Sequence, residues 1–348
     1  MKHILVTGGA GFIGSNFIHY LLEHSNCYVI NFDALTYAGN LQNLKDIEQD
    51  SRYAFVEGDI RNAEQVRGAF HQYEVDTVVN FAAETHVDRS IVSPDLFVST
   101  NILGTQTLLE CARVCWSLSP EDKHCREYKP GVRFLQVSTD EVYGSLGMTG
   151  KFCESSPIAP NSPYAASKAS ADLFVRAYHR TFGFPAVVTR CSNNFGPYQF
   201  PEKLIPLIIY NSLHDKRIPV YGDGQQVRNW LYVEDHCSAL CSALESGKTG
   251  EIYNIGGDAE ETNLRVIQSI LRLTGRSESL IQFVADRPGH DRRYAMDYKK
   301  LYQHTGWKPS HSFEKGLQRT VQWYLANEKW LRDAAGRDFQ EYYKTMYT

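Results

Sequence analysis

A short apolar run, Ile4-Leu5-Val6, leads through Thr7 into Gly8-Gly9-Ala10-Gly11-Phe12-Ile13-Gly14, and an amphipathic stretch over 12–24 follows. Glycines 9, 11 and 14 satisfy G-x-G-x-x-G, and glycines 8, 11 and 14 satisfy G-x-x-G-x-x-G. Such a pattern is common by itself. Between a buried strand and a helix it specifies a tight turn whose backbone N–H groups, backed by the helix N-terminus, approach a pyrophosphate. That turn belongs to the first βα unit of a doubly wound sheet.

The next hundred residues keep the same rhythm. Segments 28–32, 54–56, 77–81 and 133–137 are apolar and of strand length, and helical patterns lie near 62–73 and 95–117, with Asn62 and Ser93-Pro94 as starts. The expected fold is α/β: a doubly wound parallel Rossmann sheet with ligands at the carboxyl ends of its strands. After 195, Pro197, Pro201, Pro206, Pro219 and the turn Gly222-Asp223-Gly224 shorten the elements. Strand-like runs at 230–233 and 252–255 are expected to return to the main sheet. The chain divides into an NAD-binding domain, 1–198 and 229–257, and a smaller discontinuous α/β lobe, 199–228 and 258–348. A length of 348 residues suits two such units.

A formal net charge of −4 opposes a nucleic-acid partner, so any phosphate must be met by local cations. No apolar run approaches the roughly 20 residues that span a bilayer, and the N-terminal one is too short for a secretory signal. Eight cysteines scattered along the chain suit reduced thiols and a cytoplasmic location. Cys111, Cys115, His124 and Cys125 form the one cluster with a metal-like look. Its C-x3-C spacing puts the first two a helical turn apart, so a structural role without metal is expected, as for Cys237 and Cys241.

Asp33 closes the second strand about 20 residues after the glycines, where a carboxylate meets the adenosine ribose hydroxyls. It would repel a 2′-phosphate, which favours NAD over NADP. Asp59, at the end of the third strand, is expected near the adenine. Further on, Ser162 and Pro163 open a helix on which Tyr164 and Lys168, four apart, share a face. Lowering a phenol from about 10 to about 7 requires about 4 kcal/mol. One cation about 4 Å away supplies roughly that at an effective dielectric of 20. Lys168, aided by the charge of an oxidised nicotinamide, is therefore expected to make Tyr164 a base.

With the glycine turn upstream, these residues make the chain resemble the extended short-chain dehydrogenase/reductase family. Within it the chain is similar to the nucleotide-sugar 4,6-dehydratases, through the blocks at 35–41, 82–90, 138–144, 191–198, 200–206 and 286–293. Epimerases of the family only oxidise and re-reduce C4. A dehydratase must also take the C5 proton and protonate the departing C6 hydroxyl. The resemblance implies Glu141 as that base, Asp140 as that acid and Thr139 as hydrogen-bond partner of the C4 oxygen. Both carboxylates can reach one sugar only if the strand has turned before them, since neighbours in a strand face opposite ways. Asp140 must also be protonated, hence raised in pKa.

For the cofactor, the resemblance implies Gly8, Gly11, Phe12, Ile13 and Gly14 at the turn. It adds Ala34, Leu35 and Thr36 beside Asp33, then Ile60, Phe81, Ala82, Ala83, Thr85, Thr100 and Asn194. For the substrate, dTDP-glucose or alternatively UDP-glucose, it implies Thr85, Thr139, Asn193, Lys203 and Leu204. Pro219, Val220, Tyr221, Arg228 and Asn263 follow, and then Asp286, Arg287, Pro288, Gly289 and His290. Arg228 and the basic run Arg287, His290, Arg292 and Arg293 suit diphosphate oxygens. The segment between Gly144 and Tyr164 lacks the longer acidic insertion of many bacterial members, which leaves the base, dTDP or UDP, open. A homodimer through the helices near 95–117 and from Tyr164 is likewise implied. The rivals are a 4-epimerase or decarboxylase, opposed by Asp140, and a silent NAD-binding module, which would need neither Tyr164 nor Lys168.

Overall fold

The computed structural model describes residues 1–286 and 291–336. Its first half runs β1 (His3–Thr7), α1 (Phe12–His24), β2 (Tyr28–Asp33), β3 (Tyr53–Glu57), α2 (Ala63–Tyr73), β4 (Thr77–Asn80), α3 (Val87–Val92), α4 (Pro94–Phe97), α5 (Thr105–Trp116), β5 (Arg133–Thr139), α6 (Pro163–Phe182) and β6 (Ala186–Cys191). The second half continues with β7 (Asn193–Phe195), α7 (Leu204–Leu213), β8 (Ile218–Tyr221), β9 (Val227–Tyr232), α8 (Val233–Ser246), β10 (Ile252–Ile255), β11 (Ala259–Thr262), α9 (Asn263–Thr274), β12 (Ile281–Val284), α10 (Lys299–Thr305), α11 (Phe313–Ala326) and α12 (Glu328–Ala334).

Seven strands form one parallel sheet in the order β10-β6-β5-β4-β1-β2-β3. Its strands are apolar on both faces because each face carries a core. In β1, Ile4 and Val6 enter the core shared with α1 and α8, while Leu5 enters the one shared with α2 and α5. The chain leaves β1 toward β2 on one side and returns to β4 on the other. This reversal opens the crevice at the strands' carboxyl ends.

The second layer of structure differs from the sequence expectation at one strand. β10 does join the main sheet, pairing Ile252 with Val188, and so occupies the position beside β6. β9 instead lies between β7 and β11 in a separate three-stranded sheet. Trp230 and Tyr232 turn into the smaller lobe's core, with Phe195 ring centres 6.0 and 5.7 Å away, whereas Leu231 packs toward the main sheet. This placement buries the two large rings of Trp230 and Tyr232 in that core.

A second correction concerns the helix expected over 95–117. It is interrupted between α4 and α5 by a π-helical stretch, Val98–Gly104. The extra residue per turn rotates Asn101 inward. There its amide nitrogen donates to the Glu84 carbonyl (3.0 Å) and Ser167 Oγ (2.8 Å), and its carbonyl accepts the Glu84 N–H (2.8 Å). Thr100 is thereby left on the crevice wall. All eight cysteines are free thiols, with Cys111 and Cys125 buried against backbone carbonyls. Among the described residues no helix is long and apolar enough to cross a membrane, and no group of three or more His, Cys, Asp or Glu is placed to hold a metal.

Candidate active site

At the crevice's β1 side, Gly11 caps α1 without a side-chain hydrogen bond, so the first-turn amides face the cleft lined by Gly8 and Gly11–Gly14. At Gly8 and Gly14 no side chain fits. A Cβ on Gly14 would lie 2.3 Å from the Gly8 carbonyl oxygen, and Gly8 itself sits at φ +68°. Asp33 is buried, and its two oxygens accept from Ala10 N–H (2.9 Å) and Leu35 N–H (2.8 Å). Burial raises its pKa against these two bonds. The carboxylate is thus fixed beside the glycine turn. Ala34, Thr36, Asp59, Ile60, Phe81, Ala82, Ala83, Thr85 and Thr100 line the same cleft. Leu35 does not; it holds a left-handed φ of 48° and works through its N–H. Asp59 is held by Arg61, whose Nε lies 2.9 and 3.0 Å from its two oxygens.

Unpaired buried atoms mark the deep end of the cleft: Asn193 Oδ1 and Asn194 Oδ1 find no partner among the described residues. An open helix start, a fixed acidic residue at the end of β2 and orphaned hydrogen-bonding groups fit a dinucleotide as written in the sequence.

The catalytic candidates converge here. β5 ends at Thr139, and Asp140–Tyr143 form a 3-10 turn capped by Thr139, whose Oγ1 accepts the Glu141 N–H at 3.3 Å. Thr139, Asp140, Glu141, Tyr164 and Lys168 consequently all line the cleft. Asp140 is 2% exposed and its Oδ2 has no hydrogen-bond partner among the described residues. Burial, then the charge of Glu141, pushes its pKa up to about 8, against the opposing pull of Arg228. An acid that stays protonated at neutral pH results.

Tyr164 differs from expectation. Lys168 donates to the Val137 carbonyl at 2.8 Å. Burial, then Glu141 and Cys191, holds Tyr164 well above its ordinary value, while the Thr139 hydroxyl pulls it down. Lys168 is itself lowered by burial.

On the substrate side, Thr85, Asn193 and Lys203 line the cleft, and Lys203 Nζ donates to the Thr85 carbonyl at 3.2 Å. Leu204 starts α7 just beyond. Pro219, Val220, Tyr221, Arg228, Asn263 and Asp286 lie outside the cleft lining, grouped around β8, β9 and the start of α9. Gln226 Nε2 donates to Asp286 at 3.1 Å, and Asn263 Oδ1 is a buried acceptor with no partner among the described residues. Arg228 is buried with its guanidinium 4.7 Å from the Tyr294 ring centre. Arg287, Pro288, Gly289 and His290 lie outside the described residues. Arg292 and Arg293 are engaged by Asp223 and Glu260, both at 2.8 Å, and Arg293 also donates to the Gly147 and Gly150 carbonyls. Those two arginines tie loops together.

Sequence reasoning passed over Glu84, Glu202 and Tyr294. Glu202 is buried on the cleft wall between Tyr37 Oη (3.0 Å) and Arg89 Nε (3.5 Å). Tyr294 is 4% exposed and feels the charge of Glu141. Glu84 and Glu202 stand inside the blocks at 82–90 and 200–206, but only folding brings them to the cleft wall.

A parallel seven-stranded sheet with a glycine turn and a Tyr–Lys pair at its crevice defines an NAD-dependent enzyme of the extended short-chain dehydrogenase/reductase type. The family model described as GDP-mannose 4,6 dehydratase matches residues 5–320, and the chain belongs to this family of nucleotide-sugar 4,6-dehydratases. It is 51% identical to the dTDP-glucose 4,6-dehydratase of Xanthomonas campestris pv. campestris (strain B100), covering 94% of each chain. Against the dTDP-glucose 4,6-dehydratase 1 of Escherichia coli (strain K12) it is 48% identical over 99% of this chain and 98% of that one. The dTDP-glucose 4,6-dehydratase of Bacillus anthracis str. Ames, solved in complex with NAD, superposes with a TM-score of 0.86 at 49% identity, covering 96% of this chain and 100% of that one.

Proposed function

We propose that this enzyme removes water from dTDP-glucose to give dTDP-4-keto-6-deoxyglucose, with NAD bound throughout as a catalyst. Bound NAD accepts hydride from C4 and returns it to C6, so the reaction has no net oxidation. Tyr164 takes the C4 hydroxyl proton, and Thr139 holds that oxygen. The ketone so formed acidifies C5, Glu141 removes the C5 proton, and Asp140 protonates the departing C6 hydroxyl. A proton returned to C5 completes the product. Thymine over uracil and the contacts of Arg228, Asn263 and Asp286 with the nucleotide rest on resemblance to the family.

The observation that carries this reading is Asp140: a buried carboxyl beside a second carboxylate, raised to about 8 and aimed into the cleft. A 4-epimerase has no use for such an acid. The test is product mass from dTDP-glucose and UDP-glucose without added NAD. Loss of one water supports the dehydratase and the faster substrate identifies the base; conversion to an isomer sinks it in favour of an epimerase. Asp140→Asn is expected to stop after oxidation, leaving reduced nicotinamide absorbing near 340 nm; normal turnover by this variant excludes the assigned acid.

The exposed apolar side chains Leu96, Val98 and Leu103 on the helical stretch around α4 and α5, with Leu173 and Phe174 on α6, support a homodimer built on those helices.

A further inference from the structure

Behind the catalytic candidates lies a second set of charges that the proposed chemistry leaves unused. Asp172 follows Lys168 by one turn of α6, and both side chains are fully buried. The Asp172 carboxylate accepts from Arg190 Nε at 2.9 Å, with the side chains 1% and 2% exposed. Arg190 belongs to β6, next to the strand that delivers Thr139. Its guanidinium carbon lies 4.8 Å from the centre of the Tyr143 ring, and Tyr143 Oη donates to Asn254 Oδ1 at 2.8 Å. Tyr143 ends the 3-10 turn that begins with Asp140 and Glu141.

The pair therefore touches both halves of the machinery: on one side the helix carrying Tyr164 and Lys168, on the other the turn carrying Asp140 and Glu141. A buried ion pair is a poor device for stability alone, since well-packed apolar residues generally do as well. Its geometric reach is what distinguishes it here. We propose that Asp172 and Arg190 are positioning residues, Asp172 supplying the countercharge that keeps Lys168 an ammonium and Arg190 fixing the elimination turn at its working distance from α6. The inference rests on the dehydratase reading of Tyr164, Lys168, Asp140 and Glu141.

Asp172 approaches from its own helix, the Cys191 thiol from β6, and the Val137 carbonyl from β5. Burial lowers the Lys168 pKa, and Asp172 is the foremost group opposing it. Burial likewise opposes the Arg190 charge, but Asp172 and Tyr143 outweigh it and hold the guanidinium above its usual value. Burial raises the Asp172 carboxyl, opposed by Arg190, Lys168 and the Ser138 hydroxyl, and the 2.9 Å Arg190 bond favours the carboxylate; removing that charge lets Lys168 lose its proton at a lower pH.

The two roles separate experimentally. In holoenzyme carrying Asp140→Asn, turnover is arrested after oxidation and the absorbance near 340 nm reads that step alone. Adding Asp172→Asn is expected to shift the alkaline limb of this oxidation rate downward by at least one pH unit, with the substrate's apparent KM changed less than twofold. An unmoved limb overturns the countercharge role, because a purely structural loss lowers the rate at every pH alike. Arg190→Lys in the otherwise native chain retains both charges and loses the ring contact. It is expected to leave the limb in place and slow elimination at least fivefold relative to oxidation, so that reduced nicotinamide accumulates during turnover; equal slowing of both steps overturns the brace. This variant also carries the test if Asp172→Asn does not fold. If the Asp140→Asn enzyme forms no reduced nicotinamide at all, the dehydratase reading falls first; if it does and neither variant behaves as described, only this inference falls.

Discussion

The Glu141 N–H donates to Thr139 Oγ1 at 3.3 Å, and that bond ends β5 one residue before Asp140. A continuing strand would send Asp140 and Glu141 to opposite faces. The capped turn instead brings both to the cleft, with Asp140 buried and Glu141 half-buried. Thr139 shapes the turn, and the proposed chemistry also has it meet the substrate oxygen. Thr139→Ser keeps the hydroxyl and is expected to retain most activity. Thr139→Val keeps the shape and is expected to lose roughly tenfold to a thousandfold in kcat, the range of one hydrogen bond made to a reacting group together with a misplaced acid. Equal rates for the two variants would remove Thr139 from the site.

The raised pKa of Asp140 gives pH dependences of defined sign. The acid form exists below about 8, so the elimination step is expected to slow as pH rises through about 8. Stability moves the same way. Between the unfolded carboxyl's ordinary value of 3.8 and the folded value near 8, the folded protein binds more protons, so stability falls as pH rises across that window. Asp140→Asn abolishes this penalty. The unliganded variant should melt above the parent at pH 8, by on the order of 2 kcal/mol, and approach it near pH 4. Calorimetry at the two pH values checks this, and a variant less stable at pH 8 would show that Asp140 is not the strained group described.

The main sheet was legible because its signals are local: the glycine turn, the doubly apolar strands and the cap at Ser162 each act within a few residues. β9 was not, because Trp230-Leu231-Tyr232 is equally apolar for either sheet and only Phe195 and Phe313, distant in sequence, settle where the rings go. The π-helical stretch was equally hidden, since its determinant is Asn101 reaching Glu84 and Ser167 across two other elements. Of the site, Asp140, Glu141, Tyr164 and Lys168 stood in motifs. The fact that Lys168 bonds the Val137 carbonyl is a matter of side-chain reach that helical spacing alone does not encode.

Asp33 ties the glycine turn to the end of β2, where the proposed function places the cofactor. Its oxygens hold Ala10 and Leu35, and the Ala10 bond pulls the turn against the end of β2. Asp33→Asn keeps one acceptor oxygen and the size, and is expected to weaken NAD retention roughly tenfold. Asp33→Ala frees both amides and should weaken it on the order of a hundredfold, two lost bonds to a charged group. The nucleotide released on denaturing each purified protein measures this. Full occupancy in Asp33→Ala would mean that other residues define the adenosine end.

Leu103 and Phe174, 55% and 39% exposed, stand on the two helical stretches assigned to the dimer. Neighbouring Val98 and Leu173, both 48% exposed, extend the apolar surface, and the polar network of Asn101 lies on the opposite, buried side. Exposed apolar groups clustered on adjacent helices are better buried than hydrated, at about 25 cal/mol for each square ångström removed from water. A second copy meeting the same face through a two-fold axis buries each of these side chains twice over, in an isologous contact. Placing a carboxylate at both positions, Leu103→Glu with Phe174→Glu, puts four like charges at that contact and leaves them solvated in the monomer. Sedimentation at micromolar concentration is expected to give about twice the chain mass for the parent and the single chain mass for the double variant, with secondary structure unchanged. A parent that sediments as a single chain would return these residues to the ordinary apolar share of a protein surface.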